Sequence, residues 1–132
     1  MLNIAILGCG RIGQVHARTI KSMSGARVTA VADAYPDPAQ ILADDLGADV
    51  RTIDAIMASD DVDAVVIGTP TTTHYDLIHA AAKAGKAIFC EKPVDMSADR
   101  IRDCLAIVAQ HGVPFLTAFN RRFDPSFANV QA

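Results

Sequence analysis

Short, unbroken apolar runs alternate along the chain with longer segments in which apolar residues recur at helical spacing. The apolar runs predict strands at Leu2–Leu7, Arg27–Ala32, Ala48–Arg51, Asp63–Ile67, Ala87–Cys90 and Pro114–Phe119. Because most of these runs are continuous and do not alternate with polar residues, they read as parallel strands covered by helices on both faces. Between them, Ile12, Val15, Ile20 and Met23 share one predicted helical face. Leu77, Ile78, Ala81 and Ala82 share another, and Ile101, Cys104, Leu105 and Val108 a third. Pro36 and Pro38 open a further helix through Ala39–Leu46, which Gly47 stops. The βαβα order, without an internal repeat, predicts the α/β class: an open, doubly wound parallel sheet whose ligand crevice lies at the carboxyl ends of the strands.

The first strand runs into Gly8-Cys9-Gly10-Arg11-Ile12-Gly13, a G-x-G-x-x-G turn that opens an amphipathic helix. A lone turn of this kind is weak evidence, so its setting decides. Here the second strand of the same βαβ unit ends at Asp33, 20 residues beyond Gly13, which is the arrangement of a Rossmann-type dinucleotide site. Each residue has a physical task. Gly8 allows the tight turn, Gly10 lets backbone approach a pyrophosphate, and Gly13 lets the helix pack closely on the strand. The N–H groups around Arg11 and Ile12 then face the phosphates at the positive end of the helix. Asp33 is expected to accept hydrogen bonds from the adenosine ribose and to repel a 2′-phosphate, and Ala34 supplies no cation to hold one. The expected cofactor is therefore NAD, not NADP.

Composition narrows the partners. The 132 residues are 51% hydrophobic and 20% charged, which suits one globular domain with a real core. A net charge of −3 and no basic run beyond Arg121-Arg122 leave nothing to neutralise a nucleic-acid backbone. No apolar stretch approaches the roughly 20 residues of a membrane span. The N-terminal apolar run lacks the basic leader of a signal peptide. Three cysteines, Cys9, Cys90 and Cys104, form no C-x-x-C pair, so neither a disulfide framework nor a zinc site is expected, and a reducing cytoplasm suits them. Cys9 sits at a helix start that could lower its pKa, although a small filler is the simpler role. His16 and His111 read as structural or solvated, His74 as a helix-start or packing residue, and Asp60-Asp61-Val62-Asp63 as a solvated turn.

A second constellation is more specific. Gly68-Thr69-Pro70 ends one strand, His74 follows, and Glu91-Lys92-Pro93 closes the next. The order G-x-G-R-I-G, V-A-D, T-P-x-x-x-H and G-K-x-I-x-x-E-K-P resembles the Gfo/Idh/MocA family of nicotinamide-dependent sugar and polyol oxidoreductases, over nearly the whole chain. The segments Val31–Ala34, Ala87–Asp95 and Phe119–Pro125 resemble its inositol 2-dehydrogenase branch. That resemblance implies hydride transfer from a polyol secondary hydroxyl, at C2 of myo-inositol, to NAD. It makes Lys92 the catalytic lysine beside the nicotinamide and the substrate hydroxyl, where a cation stabilises a developing alkoxide and relays its proton. Thr69, Pro70 and Glu91 become cofactor contacts near the nicotinamide end, and Arg121 reaches cofactor or substrate from the last strand.

The resemblance also implies a second domain carrying the substrate pocket, an Asp-x-x-x-His pair and the homo-oligomer contacts. No histidine here has an aspartate four residues before it: the residues in that position are Ile12, Pro70, Tyr75 and Ile107. The expected organisation is an NAD-binding domain over residues 1–120, with residues 121–132 beginning the crossover to that second domain, and NAD binding without turnover by this chain alone. Two other readings stay open at this point. One is a non-catalytic NAD-binding or redox-sensing module, disfavoured by Glu91-Lys92-Pro93. The other is a methyltransferase, in which the Gly68-Thr69-Pro70 turn is not expected.

Overall fold

A computed structural model describes residues 1–118. The strands are β1 (Leu2–Leu7), β2 (Ala26–Ala32), β3 (Asp49–Val50), β4 (Ala64–Ile67), β5 (Ala87–Glu91) and β6 (Phe115–Ala118). They form one parallel sheet in the order β3-β2-β1-β4-β5-β6. The strand order reverses between β1 and β4, which opens a crevice at their carboxyl ends. The expected doubly wound α/β sheet is thus the observed one. The helices are α1 (Arg11–Lys21), α2 (Pro36–Leu46), α3 (Ile53–Ala58), α4 (His74–Lys83) and α5 (Ala98–His111), with a short 3₁₀ turn at Thr71–Thr73 leading into α4.

Side chains leave a strand on alternate faces, so β1 feeds two cores. Ile4 and Ile6 join Ala17, Ile20, Val28 and Leu42 under α1 and α2. Ala5 and Leu7 join Val65, Ile67, Ile78 and Cys104 under α3, α4 and α5. Burying each of the larger aliphatic side chains contributes about 1.5–3 kcal/mol, so both faces of the carboxyl edge rest on rigid packing. Local chemistry sets the helix ends. Pro36 starts α2 and Gly47 ends it at φ 67°, while the Ser97 hydroxyl accepts from the Arg100 N–H at the start of α5.

Two helical faces differ from expectation. In α1 the buried residues are Gly13, Ala17 and Ile20, whereas Ile12 and Val15 are exposed, as is Met23 beyond the helix end. The small residues win because a Cβ on Gly13 would lie 1.8 Å from the Gly8 carbonyl oxygen, so only this stripe can approach the turn so closely. In α5, Cys104 and Val108 are buried and Ile107 packs against the core, while Leu105 faces solvent. The face of α4 is as expected, with Leu77, Ile78, Ala81 and Ala82 buried. Helix α3 was not anticipated, being only 6 residues long.

Candidate functional site

The β1–α1 turn supplies the centre of the site. Gly8 has φ +96°, and a Cβ there would lie 2.7 Å from the Gly68 carbonyl carbon and oxygen and 2.9 Å from the Thr69 nitrogen. Glycine at position 8 therefore lets β1 and β4 close together at the switch point. Gly10 is different. A Cβ at Gly10 would meet no protein atom within 4 Å, and its backbone is extended, at φ −74° and ψ −165°. Among the described residues nothing requires glycine there, and the open space lies at the N-terminus of a helix with no side-chain cap and no acidic residue in its first turn. Uncapped N–H groups at the positive helix end, with room above them, fit a pyrophosphate. Arg11 and Ile12 flank this space, and Ile12 extends its side chain toward Gly68.

Asp33 follows β2. One carboxylate oxygen accepts from the Cys9 N–H at 2.7 Å and the other from the Tyr35 N–H at 2.8 Å. The carboxylate therefore braces the glycine turn while keeping further lone pairs for a ligand. It borders a cleft of about 640 Å³ lined also by Ala34, Arg51, Ile53, Pro70 and Leu77. Sequence reasoning missed the wall formed by Arg51 and Ile53, since nothing local marks a two-residue strand and a short helix as cleft lining. The Arg51 guanidinium is already engaged, with Nη1 and Nη2 donating to Asp61 at 2.8 and 2.9 Å and Nη2 to Asp49 at 3.0 Å. Beside Arg51, the Asp61 carboxyl is held well below the ordinary carboxylate range, by hydrogen bonds from Arg51 and then Ser59. The acidic turn is thus exposed, as expected, but anchored.

The other side of the crevice is built by the ends of β4 and β5. Thr69 and Pro70 follow β4, and the Thr69 hydroxyl lies 2.6 Å from that of Thr73. Glu91 ends β5 and points its carboxylate at His16 Nε2 of α1. Lys92 is exposed and its amine has no hydrogen-bond or ion-pair partner among the described residues; the peptide to Pro93 is cis. His74 is 1% exposed and faces Thr69 O at 2.8 Å and Pro93 O at 2.9 Å with its two ring nitrogens. It bridges two loops, in keeping with a packing role. The His16–Glu91 pair spans 75 residues of sequence, and no local signal could have revealed it.

Cys9 is the small filler expected, not an activated thiol. It is fully buried, its thiol donates to Ala32 O at 3.5 Å, and burial, reinforced by the negative Asp33, pushes its pKa up to about 11. The helix start does not activate it. Arg121, and the boundary placed at residue 120, lie outside the described residues. Among the described residues no cluster of three metal-ligating side chains occurs, and no helix is long and apolar enough to cross a membrane.

The Gfo/Idh/MocA oxidoreductase family, NAD-binding Rossmann fold, matches residues 2–119. Inositol 2-dehydrogenase of Rhizobium meliloti (strain 1021) is 53% identical over 130 residues, covering 98% of this chain and 39% of that protein. Among solved structures, scyllo-inositol dehydrogenase from Lactobacillus casei with bound cofactor NAD(H) and scyllo-inositol superimposes with a TM-score of 0.92 at 31% identity, over 99% of this chain and 40% of that one. A myo-inositol dehydrogenase from Corynebacterium glutamicum gives a TM-score of 0.89 at 41% identity, over 98% of this chain and 39% of that one. The chain thus spans about two fifths of the length of the relatives it matches.

Proposed function

The chain belongs to the Gfo/Idh/MocA oxidoreductases with an NAD-binding Rossmann fold, and from that premise we propose that it is the NAD-holding part of an inositol 2-dehydrogenase-like enzyme. One observation carries the proposal: the uncapped helix start at Gly10 is tied through the Cys9 N–H to Asp33, which lines the cleft, and the same helix reaches through His16 to Glu91, the neighbour of the exposed Lys92. Arg11, Ile12 and the flanking glycines would hold the pyrophosphate, Asp33 the adenosine ribose, and Thr69, Pro70 and Glu91 the turn nearer the nicotinamide. Arg121 remains a proposed contact from beyond the described residues.

NAD, when bound, supplies the acceptor for a hydride. The alcohol carbon gives up that hydride, the hydroxyl gives up its proton, and a ketone forms. Lys92 is the residue proposed to face that hydroxyl. Its exposed amine, without a partner among the described residues, can stabilise the developing alkoxide or relay the proton. The substrate proposed is a polyol, with myo-inositol oxidised at C2. No Asp-x-x-x-His pair is present in the sequence to complete the base and substrate contacts, so the 132-residue chain is expected to bind NAD without oxidising inositol. The buried, unpaired cysteines suit a reducing, cytoplasmic setting. Homo-oligomer contacts are proposed to lie outside this chain. The Glu91-Lys92-Pro93 turn and its exposed amine favour an enzyme over a non-catalytic sensor, and the family match replaces the methyltransferase reading.

NAD is preferred over NADP because Asp33 lines the cleft and, among the described residues, the one guanidinium lining it, that of Arg51, is tied to two carboxylates. Calorimetry on the wild-type chain should show NAD binding at least about tenfold tighter than NADP, on the order of one ion-pair interaction. Equal affinity would sink the assignment of Asp33. Measurable turnover of myo-inositol with NAD by the purified chain would refute the expected inactivity.

A further inference from the structure

Among the described residues none holds the Lys92 amine, yet the residues on both sides of it are held. On one side, His16 reaches from α1 to the Glu91 carboxylate. Its ring also stands edge-on to Phe89, two residues earlier on the same strand face, with centroids 5.1 Å apart and an interplanar angle of 73°. On the other side, His74 from α4 sits between Pro93 O and Thr69 O. Packing alone does not call for these residues. A buried imidazole costs more than a leucine unless it is hydrogen-bonded, and at 1% exposure the protonated ring nitrogen of His74 donates to one of its two flanking carbonyls, Pro93 O or Thr69 O. The carbonyls it faces belong to the two loops that bound the nicotinamide side of the crevice.

We propose that His16 and His74 are positioning residues for Lys92, holding Glu91 and Pro93 so that the lysine between them keeps one place while its amine stays free. The inference rests on the reading that Lys92 lies beside the nicotinamide. Neither histidine takes part in the chemical step.

The test uses this chain with NAD, NADH and ADP-ribose. A lysine charge beside the nicotinamide repels the cationic ring of NAD and not the neutral ring of NADH. The wild type should then prefer NADH by at least about tenfold, the effect of two charges as far as about 12 Å apart at an effective dielectric of about 20. ADP-ribose lacks the ring and reports the rest of the site. Lys92→Met should abolish the preference. His16→Leu and His74→Leu should each reduce it to about twofold or threefold while ADP-ribose affinity stays within about twofold, because a displaced amine acts from further away and through water, at a dielectric of about 80. His16→Gln and His74→Gln, whose amides can still donate, should recover most of it.

A preference that Lys92→Met removes and both leucine variants keep would overturn the positioning proposal and leave the reading of Lys92 intact. If Lys92→Met changes nothing, that reading falls and the proposal with it. Equal losses for all three ligands in the histidine variants would reduce both residues to fold maintenance and refute the proposal. Should His74→Leu not fold, His16→Leu decides, since the His16 side chain is already 21% exposed.

Discussion

The two ends of β5 carry two lysines used in opposite ways. Lys86, just before the strand, is 5% exposed and its amine donates to Ser59 O at 2.6 Å and Val62 O at 2.8 Å. Lys92, just after it, is exposed and unpartnered among the described residues. The same side chain closes a loop at the amino edge of the sheet and stands ready for an outside partner at the carboxyl edge. The difference separates groups whose chemistry is satisfied within the fold from groups left open for a ligand. The same contrast recurs in the glycine turn, where Gly13 is required by a protein contact and Gly10 is not.

The turn offers the largest expected effect. In Gly13→Ala the new Cβ meets a backbone oxygen at 1.8 Å, so α1 must move away from β1. We expect a loss of about 4 kcal/mol or more in urea unfolding, beyond ordinary overpacking. Gly10→Ala should leave stability within about 0.5 kcal/mol and still lower NAD affinity by about tenfold or more, through a clash with the pyrophosphate alone. If both variants were equally destabilised, the distinction between inward and outward glycines would fail.

Next come the lysines. Lys86→Met leaves two carbonyls without their donor in a buried place and should cost about 3 kcal/mol. Lys92→Met should change stability by less than about 0.5 kcal/mol. Equilibrium unfolding of the two variants side by side checks this, and similar losses would remove the contrast.

How much of this was legible in the sequence follows the same division. The strands showed through because buried parallel strands are continuous apolar runs, and the glycine turn with Asp33 showed through because its spacing is fixed by a ligand. The face of α1 was misread because close packing there depends on Gly13 and Ala17, which carry little hydrophobic signal, while Ile12 and Val15 are exposed. Lys86, after Gly85, looks like any lysine at a turn, and its acceptors come from a loop more than twenty residues away. The His16–Glu91 contact exists only because β5 lies two strands from β1 in the sheet.

Asp33 stands between the two classes, since its carboxylate braces Cys9 and Tyr35 and also borders the cleft. Asp33→Asn keeps an acceptor for the Cys9 N–H and removes the charge. It should bind NAD within about threefold of wild type and gain about tenfold for NADP. Asp33→Ala also frees the turn and should lose about tenfold for NAD. An Asn variant that still rejects NADP as the wild type does would place the discrimination elsewhere.

The smallest effect concerns thiols inside the site itself. Cys9 lies in the glycine turn, and Cys90 on β5 two residues before Lys92, yet both belong with Lys86 as groups closed off by the fold. Burial pushes Cys90 up to about 12 and Cys9 and Cys104 up to about 11, against an ordinary 9.0. A raised thiol pKa means that the folded state favours the protonated form. Its contribution to stability is therefore complete below pH 9 and is lost as pH rises from about 9 toward 11 or 12. Urea midpoints should be flat between about pH 7 and 8 and fall above about 9. At pH 8 a disulfide reagent such as dithiodipyridine should leave the folded chain unlabelled and react with all three thiols once it unfolds. Rapid labelling of Cys9 in the folded chain would move it to the open class, making the turn a reactive site as well as a cradle.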